Sequence, residues 1–490
     1  MRALSRLHPI RHLSVPSLRG STSTVTLTAA TTWTRSLSLT STRGIARIGQ
    51  FTARDVALQK RSLSSTSATA ATAADNSSAA KSKNNKKLPL QGIRVLDMTR
   101  VLAGPYCTQI LGDLGAEIIK IEHPKRGDDT RAWGPPFAEY QDGREGPGES
   151  AYYLSVNRNK KSLALSFQHA EGVEILHSLA KTCDVLVENY LPGTLAKYRM
   201  DYETIRKINP RLIYASITGY GQTGPYSNRP GFDVMVEAEF GLMHITGSRD
   251  GEPVKVGVAV TDLTTGLYAC NSIMAALLQR AHTNEGQHLD VCLSDVQIAT
   301  LANMAQSVLV SGKRDSGRWG TAHPSVVPYQ GFPTADGTIF IGGANDRLFG
   351  ILCEKLGQPW AQDPRFATNN ARVENRSILE PLIEAETRKR TTKEWLKIFE
   401  GSGMPYAAVN DIMDTLNHEH AKARNMVQTI DHPVCGPLKV LSPPVKYSNA
   451  EPSIRSPPPL LGEHTDEVLQ EVVGLSGERV KELKEKGVVA

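Results

Sequence analysis

Apolar runs alternate with polar turns from residue 88 onward. Residues 93–99 (IRVLDMT) read as a strand. Gly104-Pro105 opens a helix through Gln109, Leu111 and Leu114, and residues 116–122 (AEIIKIE) read as a second strand. A strand, a short crossover helix and another strand make a βαβ unit, so the strands are expected to be parallel and buried. The pattern recurs: strand 162–167, helix 172–182, strand 185–190, short helices around Leu195 and Ile205, and strand 212–218. This predicts an α/β fold, a doubly wound, Rossmann-like large domain over 88–312.

Residues 257–279 (GVAVTDLTTGLYACNSIMAALLQ) read as a short strand, a turn and a largely apolar helix, with Asp262 at the joint. Leu263, Leu267, Ile273, Met274, Leu277 and Leu278 recur at roughly helical spacing and predict one buried face. A carboxylate placed there feels the positive end of the helix. It suits an anionic nucleophile and it suits a helix cap; the stretch alone leaves both open. Residues 290–312 read as another long helix. Beyond Gly312 the texture changes. A hairpin is expected over 327–332 and 339–342 around Ala335-Asp336-Gly337, then helices near 345–357, 375–388 and 392–401. That predicts a smaller α+β domain over 313–434. Residues 435–490, with two helices near the end, are expected to pack back on the large domain and complete it.

Ligands of doubly wound sheets bind beyond the carboxyl ends of the strands. Those ends carry Thr99-Arg100-Val101-Leu102-Ala103, His123-Pro124-Lys125-Arg126-Gly127, and Asn189-Tyr190-Leu191-Pro192-Gly193 with Lys197 beyond. Each base alone reads as an ordinary surface cation. Their recurrence at corresponding strand ends points to a phosphorylated ligand. Gly219-Tyr-Gly221-Gln-Thr-Gly224 matches a dinucleotide fingerprint, but Pro225 and Pro230 follow where a helix should open, so no nicotinamide or flavin site is expected.

Charge changes the picture in one respect. Residues 1–87 hold 14 of the 56 Lys and Arg but only Asp55 and Asp75 of the 50 acids, leaving 42 bases against 48 acids in the remainder. The folded part is mildly acidic, which argues against a nucleic-acid partner. No run of 18 apolar residues exists, so no membrane span is expected. The leader is rich in Arg, Ser, Thr, Ala and Leu and has no acid before Asp55. It reads as a mitochondrial transit peptide over 1–63, with Arg61-Ser62-Leu63-Ser64 as a processing site and Arg35-Ser36-Leu37-Ser38 as a rival, and predicts a matrix location. A disordered linker is expected over 64–87. The six cysteines are scattered without a CxxC, and no His or Cys spacing suits a metal.

The runs GIRVLDMTRVLAGPYCTQILGDLGAEIIKIEHP, NRNKKS, DVLVENY with Pro192-Gly193, ITGYGQTGP, GVAVTDLTTGLYA, RWGTAHPSVVPYQ and PPLLGEHTDEVL resemble the class III CoA-transferase family, collinearly from about Leu88 to the end. The resemblance implies an interlocked homodimer. It implies coenzyme A esters as substrates, with no permanently bound cofactor and no metal. It puts the family's catalytic aspartate at Asp262 and its CoA contacts at Leu102, Ala103, His123, Leu165, Asn189, Tyr190, Lys197 and Arg229. Succinyl-CoA as donor and a dicarboxylic acid such as glutarate or 3-hydroxy-3-methylglutarate as acceptor are implied in the same way. A dicarboxylate leaves a second carboxylate to be held, for which Arg318 and His323 are candidates; bracing the domain junction is their other reading. A carboxylate attacking a thioester passes through an anhydride to an enzyme-bound thioester, splitting one hard step into easier ones. First-turn N–H groups of the Asp262 helix are expected to stabilise the oxyanion. The competing readings are an acyl-CoA racemase or a hydrolase of the same fold. Racemases carry Gly-His-Asp where this chain has Gly231-Phe232-Asp233, and Phe232 removes the second acid–base partner; Asp233 then reads as structural.

Overall fold

The computed structural model describes residues 88–490; the expected leader and linker lie outside the described residues. Six parallel strands form the main sheet: β1 (Arg94–Met98), β2 (Glu117–Glu122), β5 (Lys160–Ala164), β6 (Val185–Glu188), β7 (Ile213–Thr218) and β8 (His288–Cys292). Two short strands, β3 (Phe137–Ala138) and β4 (Glu149–Ser150), pair antiparallel beside it. The sheet order is β5-β2-β1-β6-β7-β8. Counting the six strands in chain order, the chain starts in the middle, winds outward one way and then the other, as doubly wound sheets do. The reversal falls between β1 and β6, which pair from Val95–Val185 to Met98–Glu188.

Alternation along the strands feeds two cores. Leu96, Met98, Ile119, Ile121 and Leu163 face α3 (Ala170–Thr182) together with Val468, Leu469, Val480, Leu483 and Val489 from the C-terminal segment. Val95, Ile118, Val185, Val187 and Ile213 face α1 (Ala103–Asp113) and α7 (Val260–Thr283). Burial on both faces explains why these strands read as continuous apolar runs. Shorter helices, α2 (Ala151–Ser155), α4 (Tyr202–Ile208), α5 (Asp233–Glu239) and α6 (Leu242–Ile245), link them, and α8 (Leu293–Thr300) and α9 (Ala302–Ser311) follow β8. A separate three-stranded antiparallel sheet, β11-β10-β9, holds β9 (Tyr329–Pro333), β10 (Thr338–Gly342) and β11 (Tyr406–Ala408). Its own core joins Phe332, Ile339 and Ile341 to Phe349, Leu352, Leu379, Ile383, Trp395 and Phe399.

Three expectations need correction. Residues 257–259 form no strand; α7 begins at Val260, so Asp262 lies inside the first turn. The long helix expected over 290–312 is a strand and two helices broken at Leu301. No glycine or proline separates Cys292 from Leu293, so the strand-to-helix change leaves no punctuation in the sequence. The buried face of α7 is Thr261, Thr265, Gly266, Ala269, Cys270, Ile273, Ala276 and Arg280, while Leu267 and Leu278 are exposed. Small residues face inward because α7 lies hard against α1: a Cβ on Gly266 would meet the Ala103 carbonyl oxygen at 2.6 Å.

Candidate active site

The β1–α1 loop, residues 99–102, lies at the switch point and is held from below by buried charge. The Asp97 carboxylate accepts from the Thr99 N–H (2.9 Å), from the Thr108 hydroxyl (2.7 Å) and from Lys160 Nζ (3.1 Å). Lys120 Nζ donates to the Thr99 carbonyl and to Asp128, both at 2.9 Å, and Asp128 accepts from the Val101 N–H at 3.2 Å. Burial pushes the Asp128 carboxyl up, but Lys120 and the Thr130 N–H outweigh it and hold it at about 2. Burial drives Lys160 down to about 8 despite Asp97 beside it. Asn189, at the end of β6, closes the loop from above: its amide accepts from the Arg100 N–H (3.0 Å) and donates to the Arg100 carbonyl (2.8 Å). Between these clamps Val101 sits at φ 69°. A β-branched residue there is strained, and surrounding bonds must impose it.

A cavity of about 400 Å³ opens over this loop. Arg100, Leu102, Ala103, Asn189, Tyr190 and Asp262 are among its lining, with Phe232 and Gly219. Gly219 lets two loops meet there; a Cβ on it would lie 2.8 Å from Gly231 Cα. A second cavity of about 240 Å³ is lined by Lys120, His123, Arg126, Leu165 and Phe167. Arg100, Tyr190 and Thr194 line both.

Asp262 is half-buried on the wall of the larger cavity. Its backbone N–H donates to Asp233 Oδ1 at 3.0 Å. Loss of water, then the charge of Asp233, pushes the Asp262 carboxyl up to about 7. Glu237, one turn along α5, is also raised, first by burial, and its Oε1 is buried without a partner. Most of the first-turn donors expected for the oxyanion are already taken. The N–H groups of Val260, Asp262 and Leu263 go to the Val258 carbonyl, Asp233 and the Ala259 carbonyl. The field of the helix end still favours negative charge at Asp262.

The residues singled out from the sequence fall into three sets. Leu102, Ala103, Asn189, Tyr190 and Asp262 share the larger cavity, and His123, Leu165 and Tyr190 the smaller. Lys197, Arg229, Arg318 and His323 line neither. Lys197 is exposed, and Arg229 pairs with Glu239 at 2.8 Å. Arg318 donates to the carbonyls of Gly251 (2.9 Å) and His244 (3.0 Å), and His323 Nδ1 accepts from the Ser325 N–H (3.0 Å). In the single chain these last two brace loops. Arg100 and Phe232 were not singled out as contacts, although Arg100 sits in the same strand-end run as Leu102.

A cavity with a half-buried carboxylate, sharing Arg100, Tyr190 and Thr194 with a basic one at the switch point of a doubly wound sheet, fits an acyl-CoA enzyme. The chain belongs to CoA-transferase family III, whose model matches residues 90–465. It is similar to the succinyl-CoA:glutarate CoA-transferase of Mus musculus, 48% identical over 402 residues covering 82% of this chain and 90% of that protein. It is also similar to the succinate–glutarate CoA-transferase of Agrobacterium fabrum, 43% identical over 79% of this chain and 96% of that protein. Among solved structures, a CaiB/BaiF family protein from Brucella suis matches with a TM-score of 0.71 and 42% identity, covering 79% of this chain and all of that one.

Proposed function

We propose that this protein is a CoA-transferase that moves CoA from succinyl-CoA to glutarate, with Asp262 as the nucleophile. The observation that carries the reading is the Asp262 carboxylate, raised to about 7 and set in a cavity that shares Arg100, Tyr190 and Thr194 with a basic one. An Asp262 oxygen attacks the succinyl carbonyl; the C–S bond breaks, leaving an aspartyl–succinyl anhydride and CoA thiolate. The thiolate attacks the aspartyl carbonyl, succinate leaves, and an aspartyl-CoA thioester remains. Glutarate attacks that thioester and the steps run in reverse, giving glutaryl-CoA and free Asp262. Each intermediate keeps nearly the energy of a thioester. Asp233 fixes the first turn of α7 through the Asp262 N–H. Phe232, which carries no titratable proton, lines the same cavity where racemases carry a histidine, so that acid–base partner is missing.

Exposed apolar side chains support a homodimer. Phe232, Met235, Leu267, Tyr268, Leu278, Leu309 and Val310 are all exposed on α5, α7, α9 and the loop before α5, more than a monomer usually leaves bare. A second copy over this face would also be what brings Arg318 or His323 to an acyl carboxylate. The basic leader supports matrix import, which N-terminal sequencing of the protein from isolated mitochondria tests. Among the described residues no helix is long and apolar enough to cross a membrane.

The function is tested by following acyl-CoA species by mass with succinyl-CoA, with and without glutarate. Glutaryl-CoA should form only with both, and hydroxylamine should trap acyl-Asp262. Equal loss of succinyl-CoA without acceptor would make the protein a hydrolase. Deuterium uptake at an α-carbon from heavy water would make it a racemase.

A further inference from the structure

Among the described residues Arg100 is the only cation lining the larger cavity, and it lines the smaller one as well. Its main chain is fixed on both sides by Asn189. Its guanidinium lies over the Tyr190 ring, 5.3 Å from the centroid, and Nη1 pairs with Asp129 at 2.8 Å. That pairing aims the group but leaves Nε buried with no acceptor. A buried donor without a partner is a costly arrangement, and an oxyanion at the common wall would relieve it. The other bases of the smaller cavity are differently placed: Lys120 is buried and committed to Asp128 and the Thr99 carbonyl, His123 accepts from the Lys125 N–H at Nδ1 (3.2 Å), and Arg126 is exposed.

We propose that Arg100 binds the diphosphate of the acyl-CoA substrate. The inference rests on the CoA-transferase reading above and deepens it. In CoA the diphosphate joins the thiol-bearing pantetheine arm to the nucleoside. With the thioester at Asp262 in the larger cavity and the nucleoside end in the smaller, the diphosphate falls at the wall they share. Arginine suits that place because its fork of N–H donors matches phosphate oxygens. Asp129 takes Nη1 and leaves Nε without a partner.

Binding of CoA, dephospho-CoA (which lacks only the ribose phosphate) and pantetheine to the wild type, R100A and R100K, read by calorimetry, tests this. R100A should weaken CoA and dephospho-CoA alike, by about 10- to 100-fold, and leave pantetheine unchanged. R100K, which keeps the charge and loses the fork, should weaken the two diphosphates by less and also spare pantetheine. An equal loss for pantetheine would overturn the proposal in favour of a structural role for the loop. Loss for CoA but not dephospho-CoA would overturn it in favour of a ribose-phosphate contact, and no loss for CoA would overturn it outright. A wild type that binds none of the three would sink the CoA reading itself, a different failure.

Discussion

Asp262 has no counter-ion among the described residues, and the charged group acting on it is Asp233. Two predictions follow from the sign. An acid raised from 3.8 to about 7 in the folded protein binds its proton more tightly folded than unfolded. Its cost to stability therefore appears as pH rises from about 4 and is complete above about 7. D262N should raise the melting temperature relative to wild type at pH 8, with the gap closing by pH 4; an equal gap at both would refute the shift. The second concerns activity. The nucleophile must be ionised, so kcat/KM should rise with pH through about 7. D233N keeps an oxygen to accept the Asp262 N–H but removes the charge, so this acid limb should move to lower pH. An unmoved limb would show that Asp233 does not act on Asp262 electrostatically.

At the scale of elements, the approach of α7 to α1 sets the distance from Asp262 to Leu102 and Ala103. G266A forces a methyl toward the Ala103 carbonyl, against a 2.6 Å limit. Overpacking of this kind costs about 1–3 kcal/mol, readable in urea unfolding, and should lower transfer activity with it. Below the loop, K160M leaves Asp97 without its nearest cation in a fully buried place, 0% exposed for both side chains. Breaking a buried pair costs about 3–5 kcal/mol; a loss under about 1 kcal/mol would mean Lys120 suffices for Asp97.

These elements were unevenly legible in the sequence. The strands of the βαβ repeats stood out because both faces of a parallel sheet are apolar, and their observed bounds, such as Ile213–Thr218, lie within a few residues of those expected. β8 was hidden because its Asp290-Val-Cys292 alternation runs into α8 without a break. The buried face of α7 was legible only in part: Ile273 is buried and Met274 and Leu277 pack against the core, but Leu267 and Leu278 are exposed, and the close approach to α1 is made by Gly266, Ala269 and Ala276, small residues that carry little hydrophobic signal. Asp262 could be picked out, yet nothing in one sequence shows that Asp233, 29 positions away, meets its N–H.

For the whole molecule, the exposed apolar side chains of α7 and α9 predict that the protein sediments at twice its chain mass. Leu278→Glu with Leu309→Glu, both more than two-thirds exposed in the single chain, should lower the dimer fraction; an unchanged dimer would place the interface elsewhere. The reaction itself is followed through its oxygens. When glutarate attacks the aspartyl thioester, the bridging oxygen of the new anhydride comes from glutarate and stays on the aspartate when CoA departs with the glutaryl group. The most direct measurement is the mass of the Asp262 peptide after turnover with glutarate labelled in its carboxylates with heavy oxygen, in ordinary water. The account predicts label in Asp262 alongside newly formed glutaryl-CoA; abundant glutaryl-CoA with Asp262 unlabelled would contradict it.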